Sequence, residues 1–241
     1  MSDLKVDGII ASTGTNTNLT LQGKGTGKVD IGDGALSFPD ADGSAGSVIK
    51  TDGSGALSFI PAGGLIPLAQ IDSTSQASAD FDDIFTTTYD QYKFIGYNIG
   101  PETNDTDLYV RVSSDSGSTW QSGSTYSNAC HGMTGNGTRI KYTSSDSAFI
   151  MSWLTIGAGN GVYSDPKAGV GFDLTVYDPL NTTYSFQLTW LSTYMIASTT
   201  HGIMAGSGRY DSAANAWDSI QFIMSAGDAD FVIKAYGIVN S

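Results

Sequence analysis

GVGFDLTVY (169–177) alternates along its whole length: Phe172, Leu174 and Val176 fall on one side, Asp173, Thr175 and Tyr177 on the other. A period of two is the pattern of a strand with one face buried. DLYVRVSS (107–114) repeats it, with Leu108, Val110 and Val112 opposing Tyr109, Arg111 and Ser113. Further strand-like runs occupy 80–87, YKFIGYNI (92–99), 138–143, AFIMSWLT (148–155), YSFQLTWLS (184–192), WDSIQFIMS (217–225) and DFVIKAYGIV (230–239). Nine strands with no helical period predict an all-β head over 80–241, an antiparallel β-sandwich of jelly-roll type.

The first 64 residues read differently. GDGALSF (32–38) returns as GSGALSF (53–59), and of the 26 aromatic residues only Phe38 and Phe59 precede residue 65. Apolar residues come in pairs two apart: Leu19 and Leu21, Val29 and Ile31, Leu36 and Phe38, Leu57 and Phe59. Each pair shares one strand face, and glycine-rich turn chemistry follows it. Such thin repeats cannot close a core within one chain. They are stable when stacked or wound with other copies. The expectation is a homotrimeric stalk of short strands over 1–64, with Leu36, Phe38, Leu57 and Phe59 pointing to its interior. Glycine content alone would also fit a linker. PAGGLIP (61–67) reads as a hinge, and 65–79 as a linker into the head, although LIPLAQI (65–71) could form a strand of its own.

Composition excludes several functions. The net charge is −13, from four basic against seven acidic residues in the leader and seven against seventeen beyond it. Phosphate neutralisation needs a basic surface, so nucleic acid is not an expected partner. Anionic membrane is disfavoured for the same reason. No run approaches the roughly 18 apolar residues of a membrane span. MSDLKVDG at the start lacks a charged-then-apolar leader, the reading being synthesis without a secretion signal. Cys130 is the only cysteine, so no intrachain disulfide forms. Among 24 acids, 23 are Asp, a composition for turns and not for helices.

Two stretches carry a resemblance. DGSAGSVIKTDGSGALSF (42–59) resembles the connector repeats of bacteriophage tail fibres and other virion appendages. YDQYKFIGYNIGP (89–101), LYVRVSSDSGSTW (108–120) and FVIKAYGIV (231–239) resemble the C-terminal domains of such proteins. The resemblance implies a jelly-roll-like trimeric head, a place on the virion after synthesis in the host cytoplasm, and a structural or receptor-binding role. It names no receptor and leaves tail or capsid open.

Candidate chemistry is thin. SSDSGSTW (113–120) fits the sialidase Asp-box through Ser113, Asp115, Gly117, Thr119 and Trp120. A single copy predicts a hairpin-stabilising turn and not a propeller enzyme. A glycosidase needs two apposed carboxylates, and most Asp residues here sit beside Gly, Ser or Asn, in turns. Glu102 has no evident partner, and no nucleophile elbow accompanies His131 or His201. Cys130–His131 lacks further zinc ligands. DADG (40–43) lacks the rest of a calcium loop. No catalytic residue, metal or cofactor is expected.

Connections from residue 92 onward alternate in length. Short ones lie at 100–106, 144–147, 178–183 and 226–229, long ones at 115–137, 156–168 and 193–216. In an antiparallel fold the long ones then gather at one end, and binding often resides there. If 80–87 is a strand, that end faces away from the stalk. The aromatic residues expected to contact a host glycan or protein are Trp120, Tyr126, Tyr163, Tyr194, Tyr210 and Trp217. Trp153 and Trp190 are expected in the core. The reading is a non-enzymatic fibre or spike trimer binding the host through these loops. The alternative is a capsid decoration trimer, and a glycan-degrading enzyme ranks third.

Overall fold

The computed structural model describes residues 30–31, 36–37, 47–51, 53–54, 56–61, 64–134, 137–152, 169–197, 200–210 and 215–239. The chain divides into two compact units, Met1–Ala62 and Gly63–Ser241. All regular structure among the described residues is β.

In the first unit β1 (Asp30–Ile31) pairs antiparallel with β2 (Leu36–Ser37), and β3 (Ser47–Thr51) with β4 (Leu57–Pro61). Each copy of the repeated phrase thus supplies the return strand of a hairpin. Gly53, at φ 81°, takes a backbone conformation in the second turn that suits glycine. Leu57 and Phe59 share one face of β4 and are half-buried within the single chain. Phe38 and the Leu36 side chain lie outside the described residues.

The second unit contains β5 (Leu65–Gln76), β6 (Ser78–Phe81), β7 (Gln91–Pro101), β8 (Leu108–Ser113), β9 (Tyr126–Thr134), β10 (Gly137–Asp146), β11 (Phe149–Ile150), β12 (Val170–Tyr177), β13 (Gln187–Ala197), β14 (Thr200–Tyr210), β15 (Ser219–Met224) and β16 (Ala229–Ile238). They form an eight-stranded antiparallel sheet, in order β10-β9-β14-β13-β12-β7-β16-β5, and a four-stranded one, β11-β8-β15-β6. The alternation in β12 comes out as read: Phe172, Leu174 and Val176 are buried. Phe222 of β15 lies 5.1 Å from Phe172 and 5.6 Å from Phe94, ring centre to ring centre, and so joins the two sheets. A second ring cluster links Tyr126 to Phe149 and Tyr210, and Tyr210 to Trp217, at 4.7–4.8 Å.

Three expectations are corrected. The stretch 65–79 is not a linker: β5 pairs along β16 from Ile238↔Leu65 to Ala229↔Gln76, and β6 joins the smaller sheet. The strand expected at 80–87 ends at Phe81 in a turn, with Asp83 at φ 50°. The long connections 115–137 and 193–216 each hide a strand, β9 and β14. Strand β14 went unread because its core-facing positions include Gly202, Gly206 and Gly208, while Ile203 faces out. The glycines make room for neighbours. A Cβ on Gly206 would stand 2.3 Å from Trp190 Cζ2, and one on Gly208 2.3 Å from Phe149 Cδ1.

The hidden strands also undo the gathering of long loops. Leu65, Gln91, Tyr177, Gln187, Tyr210 and Tyr126 mark one end of the large sheet. The connections before Tyr126 and after Tyr210 therefore leave that end, where β5 begins. The connection before Val170 leaves the opposite end.

Candidate functional site

Four of the six expected contact residues are core. Tyr126, Tyr194, Tyr210 and Trp217 are each at most 4% exposed. The loops assigned to them are strands or pack inward, and their rings fill the sandwich. The Tyr126 hydroxyl donates to Gln121 O at 2.9 Å and accepts from Val112 N. Burial pushes the phenols of Tyr126 and Tyr194 well above their ordinary range. Trp120 is half-buried. Tyr163 and Trp153 lie outside the described residues, and Trp190 is core as expected.

The Asp-box stretch is a turn after β8. Ser113 Oγ donates to Asp115 Oδ1 at 2.6 Å and accepts from the backbone N–H of Asp115 and of Gly117. Thr119 N–H donates to Asp115 Oδ1 at 2.8 Å. The Ser113 bond, then those from Thr119, hold the Asp115 carboxyl below its usual value. Gly117, at φ 75°, closes the turn. Both polar side chains are used in satisfying backbone donors, a structural task.

Other reactive groups are dispersed. Cys130 faces the core and His131 the opposite side of β9, so the two do not form one site. Burial raises the Cys130 thiol. The Asp107 carboxyl is pushed up to about 7 by burial, opposed by Lys141; no carboxylate contributes to the shift. Among the described residues no group of three or more His, Cys, Asp or Glu could hold a metal ion, and no helix is long and apolar enough to cross a membrane. DADG (40–43) lies outside the described residues.

The unoccupied surface is the outer face of the eight-stranded sheet. One face packs on the smaller sheet, and the other is open. Ile140, Tyr142, Met133, Leu191, Ile203, Tyr177 and Tyr97 all stand on the open face. Ile140 and Tyr142 are 80% and 73% exposed, Met133 54%, Leu191 49% and Ile203 45%. These five sit together on β10, β9, β14 and β13: Met133 is level with Ile203, and His131 lies between Ile140 and Ala205. Beside them, a depression of about 440 Å³ opens between Tyr142 and Tyr177, floored by Ser127, Thr189, Ser207 and Arg209. The Tyr177 hydroxyl and Thr189 Oγ1 share a 2.9 Å hydrogen bond.

The face is electrically divided. The half on β12, β7 and β16 carries Asp173 paired to Lys93 at 2.7 Å, Asp230, and Lys234 over the Tyr97 ring. The outward positions of the other half run from Thr138 to Tyr142, Ser127 to Met133, Gln187 to Met195 and His201 to Arg209. None is an Asp or Glu. This site escaped sequence reading because Met133 and Ile203 fall in stretches read as long connections, and Ile140, Tyr142 and Leu191 fall in strand-like runs whose letters do not say which face is open. Comparison of the chain with protein-family models, curated proteins and solved structures gave no match.

Proposed function

We propose that the chain is a non-enzymatic structural protein of a bacteriophage virion: a trimeric fibre or spike with a repetitive stalk and a jelly-roll-like head. The observation that carries this reading is the open sheet face, where five large apolar side chains are exposed together in a strongly acidic chain. Contiguous apolar surface of this kind marks a protein contact. The connector-like repeats, each closing a short hairpin, support the stalk, and the sequence resemblance supports the virion. The expectation that the long loops form a distal recognition end loses its basis, since two of the three long connections leave the end where β5 begins.

That same placement favours a second reading, a capsid decoration trimer that clamps coat subunits. Gold-labelled antibody on purified particles separates the two: label on tail structures supports the fibre, label on the capsid supports decoration. Particles that contain none of this chain would remove both. Incubation with host surface polysaccharide tests the enzyme reading, for which cleavage products would be required.

A further inference from the structure

We infer that the carboxylate-free half of the open sheet, on β10, β9, β14 and β13, is the surface that a second copy of this chain covers; the inference rests on the trimer reading and assigns its contact face. The first argument is charge. Two copies of a chain with net charge −13 repel wherever their acids meet. They approach most readily where outward side chains carry no acid, and 17 outward positions on these four strands carry none. Arg209 is the one Lys or Arg among these outward positions, a cation that tolerates an acidic neighbour.

The second argument is area. Four strands at ~4.8 Å spacing and nine residues at ~3.3 Å give a flat footprint of ~19 by ~30 Å. A corrugated surface exposes more than its projection, so this half approaches the ~800 Å² that one partner contributes to a standard interface. The third argument is composition. Ile140, Met133, Ile203, Leu191 and Tyr142 are interspersed with Ala129, His131 and Ala205 on the same face, and Ser127, Thr189, Thr193 and Ser207 share it. Exposed large apolar side chains mixed with neutral polar ones, with no acid among them, suit a protein contact. Strand β10, beside the patch, is an edge strand of the sheet, a position that favours pairing with another chain.

The test is hydroxyl-radical footprinting of the full chain at micromolar concentration, with assembly followed by sedimentation. Met133 and Tyr142 report on the face. Tyr184, 69% exposed in the connection between β12 and β13, is the reference. The expected result is an assembly in which Met133 and Tyr142 oxidise severalfold more slowly than Tyr184. Ile140→Lys with Leu191→Lys, both at exposed positions, should restore their oxidation and weaken assembly. An assembly with Met133 and Tyr142 as reactive as Tyr184 overturns the assigned face and leaves the trimer standing. Protection that appears only on adding host surface polysaccharide makes a glycan the occupant and overturns the inference. A folded monomer overturns this inference and the trimer together, whereas particles lacking the chain overturn the virion reading alone.

Discussion

Gly206→Ala should destabilise the head although alanine fits the backbone there, because the methyl group meets the Trp190 ring. The added Cβ would lie 2.3 Å from Cζ2, 2.6 Å from Cε2 and 2.7 Å from Cη2, all on one flat, buried indole. Overpacking of this kind costs ~1–3 kcal/mol. Restricting the unfolded chain returns ~0.4–1 kcal/mol. The net expectation is a loss of ~1–2 kcal/mol. Trp190→Phe removes the indole atoms concerned and forfeits no hydrogen bond, since the Trp190 Nε1 has no partner. In that background Gly206→Ala should be neutral or slightly stabilising, for a coupling of ~1–2 kcal/mol. All four tryptophans lie beyond residue 65, so their fluorescence during urea unfolding reports on the head alone. Equal loss in both backgrounds, or no loss in either, would refute the account of why β14 carries glycines on its core side.

Two further outcomes follow from buried polar groups. The Asp107 carboxyl stays protonated in the fold up to about pH 7, while in the unfolded chain it ionises near the ordinary Asp value of 3.8. Folding therefore loses stability as pH rises from 4 to 7, up to ~4 kcal/mol at ~1.4 kcal/mol per pKa unit; Asp107→Asn should raise the melting temperature at pH 8 and leave it unchanged at pH 4. Tyr126→Phe strands the Val112 N–H and the Gln121 carbonyl, at ~1–3 kcal/mol. Its unfolding midpoint should fall accordingly, whereas a loop residue serving only in recognition would leave the midpoint unchanged.

Strands were legible where chemistry and burial agree. In β12, and in Leu108, Val110 and Val112 of β8, large apolar residues occupy the core-facing positions, so period two is visible in the letters. Strand β14 obeys the same geometry with the letters reversed: Gly206 and Gly208 face in, Ile203 faces out. Strand β9 is similar, its core face reading Tyr126, Asn128, Cys130 and Gly132. Asn128 is buried because it holds together the β10–β11 corner, donating to Asp146 and the Ala148 carbonyl and accepting from Ile150 N–H. Such roles depend on neighbours distant in sequence, and no local pattern announces them. The same limit misplaced the binding candidates. Aromatic residues between recognised strands read as loop residues, and once the missing strands are in place Tyr126, Tyr194 and Tyr210 fall on core faces.

In the trimer proposed here the chain is one part of an assembly and not a self-sufficient domain. The mass of the full, native chain in solution tests that directly, by sedimentation equilibrium at micromolar concentration. The account predicts three times the chain mass of 25.2 kDa. A stable, folded species of 25.2 kDa, with its apolar sheet face in water, would contradict it.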